Sequence, residues 1–173
     1  RALGELLPNQ GHYFNEGSLY KRFTPAGPDH AQVAACAGMA DYVDALYAHH
    51  GGTQSGGEAH GAMVHDLMRD HETALLQPLL DAVKSRNSVR LIGSDRAEGR
   101  APTVALALNR AGEDVARDLA ATGVMAGGGD FYAVRALEGM GVDAANGVLR
   151  LSFTHYTSQA EMDQLLNALD DVL

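Results

Sequence analysis

Apolar residues recur at spacings of three and four from residue 29 onward, at Val33, Ala37, Ala40, Val43 and Leu46 or Tyr47. That period predicts a helix opening at Asp29 or His30. The small residues Ala34, Ala35, Ala37, Gly38 and Ala40 on it predict close packing against a neighbour. The glycine-rich run HHGGTQSGGEAHG ends the pattern. A longer helix is predicted from about Ala62 to Ser85, with Leu67, Leu75, Leu79 and Val83 as its stripe. Pro78 should kink it or start a new helix there. Val89 to Gly93 and Thr103 to Leu108 read as strands, and Gly112 to Ala121 as a helix with Gly123 just past its end.

Val124 and Met125 predict a short strand, the glycines 127 to 129 a tight turn, and Phe131 to Leu137 a short helix. Asn146-Gly147 marks a turn, and Val148 to Phe153 alternates with the period of a strand. Ser158-Gln159-Ala160-Glu161 has the form of a capping box opening a last helix, whose stripe is Met162, Leu165, Leu166, Leu169 and Leu173. Residues 1 to 30 show no sustained period and suit an arm lying on something larger. The succession of elements predicts the α/β class: an α+β sandwich with a mostly antiparallel sheet of three to four strands, backed by helices on one face.

Composition narrows the function classes. Hydrophobic residues at 46% and charged ones at 20% describe a folded, soluble chain. No apolar run approaches the roughly 20 residues of a membrane helix, and no signal peptide is visible. The formal net charge of -9 and the scattered arginines argue against nucleic acid as a partner. A single cysteine, Cys36, excludes an internal disulfide and a cysteine-based zinc site. It is expected to be a small buried hydrophobe, and a reducing cytoplasmic compartment fits it. His60, His65 and His71 do not share a helix face at ligand spacing and His49 and His50 diverge, so solvated histidines are expected rather than a metal site. The chain opens in mid-helix pattern without Met, which suggests a cut piece.

Composition and period alone stop at an α/β domain. Four segments go further: FTPAGPDHAQVAACAGMADYVDAL (23 to 46), EGRAPTVALAL (98 to 108), GDFYAVRALEGMGV (129 to 142) and GVLRLSFTHYTSQAEMDQLLNALDDVL (147 to 173). Together, and in this order, they resemble the C-terminal part of class V aminotransferases and cysteine desulfurases, which are fold-type-I pyridoxal-phosphate enzymes. The resemblance implies that residues 1–50 are an arm and linking helix, a remnant of the large-domain and dimer-interface region. It implies that residues 51–173 are the small C-terminal α/β domain.

The same resemblance gives Arg150 the part of gripping the carboxylate of an amino-acid substrate, for which a planar guanidinium offers two parallel hydrogen bonds. By pattern alone, an arginine in an ordinary salt bridge on a sheet surface is the commoner reading. Tyr132 falls at or near the position where cysteine desulfurases carry their nucleophilic Cys, which disfavours desulfuration. Gly27 and Pro28 fall where the family's loop approaches the cofactor phosphate of the partner subunit, with Pro28 replacing a Thr and offering no N–H. Neither Lys21 nor Lys84 matches the family's Schiff-base lysine. The implied protein is thus part of a homodimeric transferase or lyase that needs pyridoxal 5'-phosphate, inactive as this chain alone. His155 is left without a role. The competing reading is a self-contained, non-enzymatic α/β binding or regulatory module, and a weaker one is a His-rich metal-binding protein.

Overall fold

The Asp29 side chain accepts a hydrogen bond from the Gln32 N–H at 3.1 Å and opens a helix there, as its position before the apolar period predicts. The computed structural model describes residues 2–7, 19, 29–53 and 58–173, so Gly27, Pro28 and Lys21 lie outside the described residues. The chain divides into two units, Arg1–Val64 and His65–Leu173.

In the first unit the described helices are α1 (Ala2–Leu6), α2 (His30–Ala35), α3 (Ala37–His49) and the beginning of α4 (Glu58–Lys84), which continues into the second unit. Neither α2 nor α3 buries a residue, and Val33 and Met39 stand exposed. The close packing expected of their small residues is therefore not seen among the described residues. Cys36 is exposed as well, against the expectation of a buried position. It sits at the junction of two helices, where its thiol turns back to donate to the Gln32 carbonyl at 3.3 Å. His60, expected in solvent, is instead buried, with its ring centroid 3.9 Å from that of Tyr47. Its Nε2 lies 3.4 Å from an Asp44 carboxylate oxygen, without hydrogen-bond geometry.

The second unit is built on a four-stranded antiparallel sheet of order β1-β2-β4-β3: β1 (Val89–Ile92), β2 (Thr103–Leu108), β3 (Gly127–Gly129) and β4 (Val148–Ser152). Alternate residues of the strands face opposite ways. Val104, Leu106, Leu149 and Leu151 point to one face, where they form the main core with Leu76, Leu79, Leu80 and Val83 of α4, with Val115 and Leu119 of α5 (Gly112–Ala121), and with Met162 and Leu169 of α7 (Gln159–Val172). Each such side chain contributes about 1.5–3 kcal/mol by leaving water. The three longer helices, α4, α5 and α7, back one face of the antiparallel sheet, as the element order predicts. A smaller cluster on the other face joins Val148 to Leu137 of the short helix α6 (Val134–Gly139) and to Val142.

Three local expectations change. Pro78 starts no new helix: α4 runs continuously from Glu58 to Lys84 with the proline inside it. Pro78 and Ala74, whose carbonyl loses its helical partner, are both exposed, so water can replace the missing bond. The strand before Asp130 is not Val124-Met125 but the three glycines themselves. A Cβ on Gly128 would lie 2.3 Å from the Gly112 carbonyl and the Glu113 nitrogen, so β3 can reach β4 across the start of α5 only without a side chain. Finally, the short helix begins at Val134 and not Phe131, because Phe131 and Tyr132 have φ of 52° and 59°, the left-handed region.

Helix ends follow the sequence. Past the C-cap Thr122, the Gly123 N–H bonds the Ala120 carbonyl and the Val124 N–H bonds the Leu119 carbonyl, a Schellman arrangement with Gly123 at φ 86°. The Ser158 hydroxyl accepts from the Glu161 N–H at 3.2 Å while the Glu161 carboxylate accepts from the Ser158 N–H at 2.7 Å. Among the described residues no helix is long and apolar enough to cross a membrane.

Candidate functional site

With Leu149 and Leu151 committed to the core, the period of two sends Val148, Arg150 and Ser152 to the opposite face of β4. Antiparallel register places Ala105 of β2 on one side of Arg150 and Gly127 of β3 on the other. One neighbour carries only a methyl group and the other no side chain, so neither adjacent strand shades the guanidinium. Two register pairs along, on the same face, the hydroxyls of Thr103 and Ser152 face each other at 3.2 Å. Met125, Ala126, Gly127, Arg150 and Ser152 line an open depression of about 180 Å³. A second hollow of about 240 Å³, between the β4 end and α7, shares Met125 and Ser152 with it.

Most described arginines are engaged elsewhere. Arg69, Arg86, Arg110 and Arg117 pair with aspartates, and Arg90 and Arg100 donate to backbone carbonyls. Arg90 in particular closes the C-terminal end of α6 through the Met140 and Gly141 carbonyls. Arg150 is exposed and has no hydrogen-bond or ion-pair partner among the described residues. Its one contact of note is the Phe131 ring, whose centroid lies 4.1 Å from Cζ. Among the described residues, the ordinary surface salt bridge that pattern alone favours is therefore not what this arginine makes.

The loop that brings Phe131 to Arg150 is short and tightly bonded. The Asp130 carboxylate accepts from the Tyr132 N–H at 2.9 Å, and the Asp130 carbonyl accepts from the Ala133 N–H at 2.8 Å. Tyr132 itself stands fully in solvent, 104% exposed. Nothing in the sequence singles out Phe131; the clue is Gly127, where a Cβ would come within 3.1 Å of the ring.

The loop after β4 is held by α4. The His71 Nε2 donates to the Thr157 carbonyl at 2.8 Å, which requires the ring proton on that nitrogen. His155, also on this loop, is half-buried with its Nδ1 at 4.0 Å from Glu72. His71 thus ties the segment that follows Arg150 to α4. Among the described residues no three His, Cys, Asp or Glu side chains converge as a metal site.

Lys84 does not suit a cofactor-linking role. Its ammonium is 2.5 Å from the Asp95 carboxylate, and that hydrogen bond pushes it above the usual lysine range, away from the neutral amine such chemistry needs.

The class-V aminotransferase model matches residues 59–165, which span the sheet, the Arg150 strand and the Phe131 loop. The chain belongs to the class-V aminotransferase family. Solved structures share the fold of about two thirds of the chain. A cysteine desulfurase of Escherichia coli aligns with a TM-score of 0.52 and 24% identity over 63% of this chain and 26% of its own. A cysteine desulfurase of Thermococcus onnurineus aligns with a TM-score of 0.56 and 19% identity over 65% of this chain and 28% of its own. A NifS-like protein of Rickettsia africae gives 0.51 and 16% identity, over 66% of this chain and 32% of its own. This class-V chain thus spans about a quarter to a third of the structures it matches. No curated protein matches it.

Proposed function

We propose that this chain contributes the substrate-carboxylate site of a pyridoxal-phosphate enzyme acting on an amino acid, with Arg150 as the gripping residue. The observation that carries the reading is an exposed guanidinium without an anionic partner among the described residues, left open by Ala105 and Gly127 on either side. A carboxylate entering the depression beside it finds two parallel N–H donors, with the Ser152 and Thr103 hydroxyls close by along the sheet.

Class-V aminotransferases are pyridoxal-phosphate enzymes, and the bound cofactor supplies an electron sink for chemistry at the α carbon of an amino acid. The described residues of this chain do not fit the part of anchoring it: Lys84 is tied to Asp95, and no other lysine is described. We assign the lysine to sequence outside this chain, which leaves the chain alone inactive; the family resemblance further implies a homodimer, and the lone Cys36 fits a cytoplasmic compartment. The structurally similar proteins include cysteine desulfurases, and by the resemblance of its sequence this chain has Tyr132 at or near the position of their nucleophilic Cys. A phenol there cannot take up sulfur as a persulfide, which favours transamination or elimination over desulfuration.

The test uses the natural gene product loaded with pyridoxal phosphate. Borohydride reduction and peptide mapping should place the label on a lysine other than Lys21 and Lys84. In the same protein, R150Q should weaken amino-acid binding, read from the cofactor spectrum, by roughly 10- to 100-fold, and R150K should recover little of it. Unchanged affinity in R150Q removes Arg150 from the site.

A further inference from the structure

Arg150 is a long side chain on an open face, and an unsupported guanidinium samples many rotamers. A carboxylate site needs it held in one plane with its edge available. The structure supplies a support from an unexpected place. The Phe131 ring centroid lies 4.1 Å from the guanidinium carbon, so the aromatic ring lies against the cation.

Three independent features hold that ring. Phe131 packs against the Leu137, Val142 and Val148 cluster. Gly127, the register partner of Arg150, leaves the space the ring fills; a Cβ there would sit 3.1 and 3.2 Å from its edge atoms. The backbone is left-handed at both Phe131 and Tyr132, and the Asp130 carboxylate and carbonyl tie the turn in that shape. Left-handed backbone is unfavourable for bulky residues and persists where the surroundings over-determine it.

We propose that Phe131 is a positioning residue for Arg150: its ring stacks on the guanidinium and presents the N–H edge to the carboxylate of an amino-acid ligand. The inference rests on the carboxylate reading of Arg150 given above. It assigns the aromatic character of Phe131, beyond its apolar bulk, to binding.

The experiment follows the Arg150 side-chain Nε–H signal of the full chain by NMR, assigned by its loss in R150Q, during titration with acetate. Phe131→Leu keeps apolar volume without an aromatic face, and Phe131→Tyr keeps the face. In the unsubstituted chain the signal should be shifted upfield by the ring and should respond to acetate. Phe131→Leu should abolish the ring shift and weaken acetate binding roughly two- to fivefold, with Phe131→Tyr restoring both. Acetate affinity unchanged in Phe131→Leu overturns the positioning role and leaves Arg150 as the carboxylate residue. No ring shift in the unsubstituted chain also overturns it. A normal ring shift with no acetate response overturns the inference together with the carboxylate reading beneath it.

Discussion

Tyr132 holds a left-handed backbone at φ 59° while its side chain buries nothing, so the strain of that conformation is not offset by packing of its own. Non-glycine residues in this region cost on the order of 1–3 kcal/mol, and glycine adopts it freely. Tyr132→Gly should therefore stabilise the chain by about 1 kcal/mol in urea unfolding, after the extra freedom glycine brings to the unfolded state. A loss of stability would mean that the ring makes contacts the fold does not reveal. A neighbouring residue was legible in a different way. That Arg150 faces away from the core follows from Leu149 and Leu151 beside it, by period alone. What it meets on that face does not, because Phe131, Ala105 and Gly127 reach it only through register and the turn after β3.

Among the elements, α7 shows how a local signal becomes a pH-dependent one. Hydrogen bonds from the Ser158 N–H and then from its hydroxyl hold the Glu161 carboxyl below the usual glutamate range. A carboxyl whose folded pKa is lowered adds stability that is fully present above its unfolded value and is lost as pH falls through the folded one. The chain should thus lose stability in acid partly through this cap. E161Q should flatten that part of the profile, measured by urea unfolding between about pH 6 and pH 3. An identical slope in E161Q would show that the cap does not contribute. This box, the Gly123 cap and the Thr103–Leu108 strand were all readable from residues a few places apart. The strand β3 was not, since three glycines carry no strand preference, and only the close approach of the start of α5 to Gly128 shows why a side chain is excluded there.

At the scale of the whole molecule, both apolar clusters lie entirely between Leu75 and Leu173. The second unit holds its own core, so a chain beginning at Glu58 should still melt cooperatively by circular dichroism. A broad, non-cooperative melt would show that the first unit is needed to complete the fold. The sequence by itself determined the order of elements, most of their ends, the antiparallel α/β class and the face on which Arg150 stands. These depend on spacing and capping within a few residues, where the physics is local. Only the tertiary structure decided that the glycines 127 to 129 form a strand, that His60 is buried beside Tyr47 while Cys36 is exposed, and that the Phe131 ring lies against the Arg150 guanidinium. Each of these is set by backbone approach or register between segments with no pattern in common, and spacing along the chain carries no record of that.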